Sequence, residues 1–147
     1  MNEFKICYLC GKQLKEDGDV DHIPPKQFFG KELRKNHNPD LLTLPTHKTC
    51  NSSFQHDEDY FVTSLLPLYQ DSYSGSSVYD DVKKRFDEGK KVPLVYKMFN
   101  EFDESPSGLI LPGGKALKRF DGKRISRVVW KIVRGLYYIE KNLILPD

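Results

Sequence analysis

The sequence predicts an α+β protein with short strands near its N-terminus and mainly helices after residue 47. Three features support this prediction: short apolar segments bounded by turn residues, an amphipathic pattern that begins near residue 47, and a long amphipathic segment near the C-terminus. The 147 residues are 38% hydrophobic and 30% charged, which is enough apolar material for one globular core. We expect a compact module at residues 1–68 and a mainly helical extension, packed on it, at residues 69–147.

Three short apolar segments are predicted as strands: residues 4–8, 20–23 and 41–45. Pro24 and Pro25 prevent a helix from following the second segment. Phe54, Phe61 and Leu65 share one helical face, which predicts a helix from residue 47 until Pro67 ends or kinks it.

The second half of the chain contains two further helical patterns. Ser77 and Asp80 resemble a capping box and predict a helix that ends near Gly89, after a loop around residues 72–76. The residues at 90–102 fit either a helix or a strand. The clearest helix covers 122–142, and its apolar face consists of Ile125, Val128, Val129, Ile132, Leu136 and Ile139. Its basic face, on the opposite side, consists of Lys123, Arg127, Lys131 and Arg134.

The bulk composition limits the class of protein. No apolar run approaches the ~20 residues that a membrane-spanning helix needs, and the first ten residues do not resemble a signal peptide. Three cysteines cannot all pair within the chain, so we expect a reducing, cytoplasmic location with no membrane partner. The net charge of +2 does not by itself indicate a nucleic-acid partner. The oligomeric state stays open, with a dimer as one possibility.

Two cysteine and histidine pairs predict a closed structural zinc site. The C-x2-C and H-x2-C spacings supply the four soft or borderline ligands of a tetrahedral site: Cys7, Cys10, His47 and Cys50. The alternative is that the first two cysteines are small buried hydrophobic residues and the histidine only begins a helix. Zinc is the stronger interpretation, because the second pair uses the one remaining cysteine.

Three polar residues near these pairs suggest phosphodiester chemistry: Asp21, His22 and Asn51. Histidine suits the general base that deprotonates water near neutral pH, and carboxylate and amide oxygens suit Mg²⁺. Neighbours in a strand point to opposite faces, so a local irregularity at the two prolines would be needed to bring Asp21 and His22 to one site. The alternative is a polar strand end that forms only local hydrogen bonds.

The order "CYLC … DHIPP … LLTLPTHKTCN" resembles the HNH endonucleases of the zinc-containing ββα-metal type, over about residues 7–61. The resemblance implies a ββα-metal core in which His22 is the general base and Asp21 and Asn51 bind a catalytic Mg²⁺ or Mn²⁺. Asp40 occupies the position where the family has the asparagine that orients the base. We assign Asp40 to that role, with Asn38 as the fallback.

A nuclease also needs a surface that contacts the phosphate backbone. Six basic residues are candidates for this surface: Lys26, Lys31, Arg34, Lys35, Arg127 and Lys131. A solvated face is the alternative for the basic residues of the C-terminal helix. A cluster near the start of the preceding helical segment is expected to be solvated rather than metal-binding: His56, Asp57, Glu58 and Asp59.

The sequence therefore predicts a divalent-metal-dependent endonuclease that acts on nucleic acid, with DNA as the expected substrate. The rival interpretation is a catalytically inactive zinc module that binds nucleic acid or a protein partner. A third is a small toxin-like effector whose C-terminal half contacts other proteins. Asp21, His22 and Asn51 separate the first from the second, because a binding module does not need them.

Overall fold

Helices and two small antiparallel sheets make up the structure, a computed structural model that describes residues 5–15, 18–37 and 40–146. The elements in chain order are β1 (Gly18–Ile23), α1 (Lys31–His37), β2 (Leu42–His47), α2 (Lys48–Ser52), α3 (Gln55–Tyr69), α4 (Tyr73–Asp87), α5 (Val92–Asn100), β3 (Phe102–Asp103), β4 (Leu117–Lys118) and α6 (Gly122–Lys141). A mixed α/β architecture, consistent with the predicted α+β class, is therefore confirmed.

The N-terminal segment folds over the β1–β2 pair. In that pair Asp21 lies opposite Leu44, and His22 lies opposite Thr43. Instead of the strand expected at residues 4–8, the described residues form a tight turn closed by a single bridge between Ile6 and Gln13. Residue 4 lies outside the described residues. The backbone N–H of Tyr8 donates to the carbonyl oxygen of Pro45 (3.1 Å), which fastens this turn to β2.

The helix boundaries depart from the predicted ones at two places. The helix expected from residue 47 is divided into α2 and α3, and Pro67 lies inside α3. The helix expected from Ser77 begins four residues earlier, at Tyr73, because the side chain of Ser72 caps it by accepting from the N–H of Gly75 (3.0 Å). The expected loop at residues 72–76 is therefore wrong, and the ambiguous segment at 90–102 is mostly the helix α5.

The orientation of α6 corrects the prediction for its basic face. Lys131 is only 1% exposed, whereas Val129, Leu136 and Ile139 of the apolar face are 43–49% exposed. Only part of the basic side packs inward: α3 and β1, which α6 contacts, present buried carboxylates at Lys131, whereas Lys123 and Arg127 remain exposed. Lys131 therefore does not lie on a solvated or backbone-binding surface.

A close approach between α6 and β1 fixes the position of this helix. A Cβ atom at Gly135 would lie 2.6 Å from the Ile23 side chain and 3.3 Å from that of Leu44. Ile23 and Leu44 belong to the main apolar core, together with Tyr8. Glycine at position 135 therefore lets α6 pack directly on the strand that contains Asp21, and Lys131 lies one turn earlier. None of the helices in the described part of the chain has the length and hydropathy needed to span a membrane.

Candidate functional site

The four predicted zinc ligands lie together. Their donor atoms are all within 4.8 Å of one another, so the four side chains sit close enough to hold a metal ion such as zinc: Cys7, Cys10, His47 and Cys50. The first two lie in the N-terminal turn, and the other two lie at the junction of β2 and α2. A metal ion here would join the N-terminal turn to the β1–β2 pair and to α2.

His47 presents the correct nitrogen to this cluster. Its Nε2–H donates to the carbonyl oxygen of Gln13 (3.2 Å), which can only accept. The other ring nitrogen, Nδ1, lies 3.4 Å from Sγ of Cys10 and 3.9 Å from Sγ of Cys50. The hydrogen bond to Gln13 thus selects the neutral tautomer whose lone pair faces the sulfur atoms, as a metal-binding histidine requires.

The cysteines of this cluster differ in their tendency to ionise. Burial raises the pKa of the Cys7 thiol, but hydrogen bonds from Thr46 and from backbone N–H groups outweigh it and lower the pKa to about 6. Burial, followed by the negative charge of Cys7, raises the pKa of Cys50 to about 12. Cys7 is therefore present as a thiolate beside a protonated Cys50. Binding of a metal ion would release the proton of Cys50.

Asp21 is buried and fully hydrogen-bonded. Its Oδ2 accepts from the hydroxyl of Tyr8 (2.5 Å) and from Nζ of Lys131 (2.8 Å). Its Oδ1 accepts from the backbone N–H of His22 (2.8 Å) and again from Lys131 (3.0 Å). A carboxylate offers about four acceptor directions, so these four contacts use the whole capacity of Asp21.

Lys131 joins Asp21 to two other oxygen donors. Its ammonium group forms an ion pair with Oε1 of Glu58 and lies 3.4 Å from Oδ1 of Asn51. Burial raises the pKa of Glu58 above its ordinary value, and the positive charge of Lys131 offsets only part of this effect. We call these residues the Lys131 cluster: Asp21, Asn51, Glu58 and Lys131.

An open cavity of about 380 Å³ lies against this cluster, and His22 is part of its wall. The predicted catalytic residues Asp21, His22 and Asn51 all line this cavity, together with Glu58. Burial lowers the pKa of His22 below its ordinary value, the charge of Lys26 lowers it further, and Asp21 acts in the opposite direction. The imidazole is therefore mainly neutral near pH 7, the form that a general base requires.

Asp40, the residue predicted to orient His22, does not lie opposite it in the β1–β2 pair. Asp40 is exposed and precedes β2, whereas Thr43 is the residue opposite His22. No hydrogen bond joins Asp40 to His22 within the part of the chain that the structure describes, and Asn38 lies outside that part. The orienting role of Asp40 stays a prediction. Asp19 also lines the cavity, where it accepts from Nδ2 of Asn51 (3.2 Å).

The sequence pattern predicts a solvated acidic surface at the start of α3, and the structure shows that two of its acidic residues are buried instead. Asp57 and Glu58 are each 8% exposed. Asp57 forms ion pairs with Arg124 and Arg127, and Glu58 forms one with Lys131. Glu58 is thus a site residue that the sequence analysis missed. One signal was present: it follows Asn51 by seven residues, which is two helical turns.

The basic candidates fall into two groups. Lys26, Lys31 and Lys35 are exposed, Arg34 is half-buried, and Lys26 and Lys48 line the cavity beside His22. Arg127 is half-exposed but paired with Asp57. Two exposed ammonium groups, those of Lys26 and Lys48, therefore lie at the cavity wall with His22, and none of the residues that line this cavity belongs to α6.

The oxygen donors of the Lys131 cluster match a divalent ion in chemistry. Asp21 and Asn51 offer the hard carboxylate and amide oxygens that Mg²⁺ and Mn²⁺ prefer. The Lys131 ammonium lies between these oxygens, however, and occupies the remaining acceptor directions of Asp21. The donor set therefore fits a divalent ion only if Lys131 gives up some of these contacts.

The chain was also compared with known proteins. No protein-family model, curated protein or solved structure matches it.

Proposed function

We propose that this protein is an endonuclease that hydrolyses phosphodiester bonds in nucleic acid, with DNA as its substrate. One observation carries the proposal: a half-buried histidine and the oxygen-donor side chains of Asp21, Asn51 and Glu58 line the same open cavity, beside two exposed lysines. The antiparallel β1–β2 pair followed by α2 is consistent with a ββα-metal core, in the order that the HNH resemblance implies.

His22 is the proposed general base. Its ring is half-buried, which keeps it neutral, but it still reaches the cavity where a water molecule and a phosphate group can meet. A neutral imidazole accepts the proton of the attacking water. The neighbouring Asp21 is largely buried at the cavity wall, where Tyr8 and Lys131 fix its carboxylate, so its charge holds this part of β1 in place.

Lys26 and Lys48 are the proposed phosphate-binding residues beside the base. Both side chains are exposed and line the cavity, so their ammonium groups can contact a phosphodiester without a large desolvation cost. Lys31 and Lys35 extend this positive surface along α1. These contacts are to the backbone and carry no base specificity.

Two metals belong to the proposal. Zinc at Cys7, Cys10, His47 and Cys50 has a structural function, because four protein ligands leave no open position. Mg²⁺ or Mn²⁺, held by Asp21 and Asn51, would offset the charge that develops on the phosphate in the transition state.

Plasmid nicking tests the proposal. Zinc-loaded wild type is incubated with supercoiled DNA and Mg²⁺ or Mn²⁺, beside His22→Ala and the control His56→Ala. His56 is exposed on α3 outside the residues that line the cavity. We expect nicking by the wild type and the control, and a loss of about 10²–10⁴-fold in His22→Ala. The rival interpretation, an inactive binding module, gains if all three folded proteins shift DNA in a gel but none cleaves duplex, branched or single-stranded DNA, or RNA.

A further inference from the structure

We propose that Lys131 is the resident cation of the candidate catalytic centre, and that a divalent ion must compete with it for the oxygens of Asp21 and Asn51. This inference rests on the proposed function in one respect: the oxygens of Asp21 and Asn51 are also the ligands of the proposed catalytic metal ion. Lys131 is a positioning residue here, because it acts through the side chains that it holds together.

The contacts of the Lys131 ammonium group are those of a cation in a site built from oxygens. Its acceptors are both carboxylate oxygens of Asp21, at 2.8 and 3.0 Å, the amide oxygen of Asn51 at 3.4 Å, and Oε1 of Glu58. An ammonium group has three protons, so this number of acceptors leaves none of them without a partner. The side chain of Lys131 is 0% exposed, so no water competes for these protons.

The backbone fixes where this cation can lie. Gly135 packs against Ile23 of β1, one helical turn after Lys131, so the lysine is held directly over Asp21. The ammonium reaches the cluster from the protein side, through α6. Asp21, Asn51 and Glu58 also line the open cavity, from which a solvent ion would reach the same oxygens. Two cations therefore have access to one set of oxygens, from opposite sides.

The charges of the cluster determine the direction of the competition. With both carboxylates ionised, Lys131 supplies one positive charge against two negative ones. Removing the ammonium would remove that positive charge and return two acceptor directions to Asp21, and it would also raise the pKa of Glu58 further, because Lys131 is the main group that lowers it. A neutral side chain at position 131 should therefore strengthen divalent binding. If Lys131 were purely structural, the same substitution would disorder the ligands and weaken that binding.

Manganese binding tests this inference without measuring cleavage. The zinc-loaded wild type and Lys131→Met are titrated with Mn²⁺ by electron paramagnetic resonance, and their melting temperatures are followed in the same series. The control Lys118→Met removes another largely buried lysine from a carboxylate, Glu101, in a different part of the fold. We expect Lys131→Met to bind Mn²⁺ at least about tenfold more tightly than the wild type, because one unit of repulsive charge is removed at contact distance.

The melting temperatures give a second readout. Before any Mn²⁺ is added, zinc-loaded Lys131→Met should melt well below the zinc-loaded wild type, and its melting temperature should recover as Mn²⁺ rises, since binding to the folded state stabilises it. Lys118→Met should show neither the tighter binding nor the recovery. The inference is overturned if folded Lys131→Met binds Mn²⁺ no more tightly than the wild type.

A measurement on the native sequence covers the case in which the variant folds poorly. If the wild type already binds one Mn²⁺ tightly, and Asp21→Asn removes that binding, Lys131 does not oppose the ion and the inference is wrong. These results are separate from the nicking assay. A protein that cleaves nothing can still show the competition, and an active nuclease can lack it.

Discussion

Two lysine residues, Lys131 and Lys118, pair with carboxylates inside this protein, and their surroundings differ in charge balance and in access to a cavity. The Lys131 cluster has two carboxylates for one ammonium and lies against an open cavity. In what we call the Lys118 cluster, Lys118 pairs with the single carboxylate of Glu101 at 2.7 Å. Glu101 also accepts from the hydroxyl groups of Tyr60 (2.5 Å) and Ser64 (2.8 Å).

The two clusters differ in charge balance and in access. In the Lys118 cluster one positive charge meets one negative charge, and neither Lys118 nor Glu101 lines the cavity beside His22. In the Lys131 cluster two largely buried carboxylates share one ammonium, and burial of a carboxylate without a cation of its own costs stability. This imbalance beside a cavity and a histidine makes the Lys131 cluster the candidate functional site, whereas the balanced pair connects β4 to α3 and α5.

Loss of metal binding at the cysteine–histidine cluster should lower the free energy of unfolding more than any other change. It should affect the Lys131 cluster and leave the Lys118 cluster intact. Cys50 directly precedes Asn51, so loss of the metal releases a member of the Lys131 cluster. Structural zinc contributes about 10–16 kcal/mol of binding free energy in small zinc modules, so we expect Cys50→Ser to lose several kcal/mol of it. Hydrogen exchange should show lost protection in β1 and β2 and retained protection in α5. An unchanged melting temperature in Cys50→Ser, with no bound zinc in the wild type, would contradict the metal site.

Lys118→Met should have the next largest effect. It leaves the carboxylate of Glu101 largely buried without its cation, and breaking one side of a buried pair costs about 3–5 kcal/mol. Urea unfolding measures the loss, and Mn²⁺ should not restore it. A Lys118→Met protein that Mn²⁺ stabilises as much as it does Lys131→Met would remove the distinction between the clusters.

Gly135→Ala should lower the free energy of unfolding by a smaller amount. The added Cβ would lie 2.6 Å from Ile23 and would push α6, with Lys131, away from β1. Overpacking of this kind costs about 1–3 kcal/mol. Gly122→Ala is the control on the same helix, because its Cβ would meet nothing within 4 Å. Equal unfolding free energies for the two variants would show that the close approach of α6 does not position Lys131.

The smallest effect concerns the pH dependence of the Lys118 cluster. Burial raises the pKa of Glu101, but hydrogen bonds from Lys118, Tyr60 and Ser64 outweigh it and hold the pKa below its ordinary value. A carboxyl group with a lowered folded-state pKa stabilises the protein above its unfolded pKa, and this contribution is lost as the pH falls through the folded value.

The test compares the wild type with Glu101→Gln. The difference in their unfolding free energies should be about 1 kcal/mol near pH 7, since glutamine keeps an acceptor but loses the charge. It should shrink below about pH 4.3, the ordinary value for glutamate. A difference that stays constant from pH 7 to pH 3 would mean that the charge of Glu101 does not contribute.

The local parts of the site could be predicted from the sequence, and the long-range parts could not. The two metal-binding pairs each lie within four residues, so their spacing alone indicated the cluster. Asp21 and His22 are adjacent in the sequence, and both side chains line one cavity together with Asn51.

Lys131 is 110 residues from Asp21, and no local pattern connects them. The amphipathic pattern of α6 predicted a helix correctly and also the burial of Val128, but not the burial of Lys131. Lys131 is buried because its partners are carboxylates that are themselves inside, and the burial of Glu58 depends on tertiary packing that periodicity does not describe. For the same reason the acidic start of α3 was interpreted as a solvated surface.

The central claim is that the cavity at His22 is a reactive centre and that the Lys118 cluster is structural. The most direct measurement is the rate of plasmid cleavage by wild type, His22→Ala and Lys118→Met, at a temperature at which circular dichroism shows all three to be folded. We expect Lys118→Met to cleave within a few-fold of the wild-type rate and His22→Ala to lose about 10²–10⁴-fold. Cleavage by His22→Ala at the wild-type rate, or no cleavage by folded, zinc-loaded wild type, would contradict it.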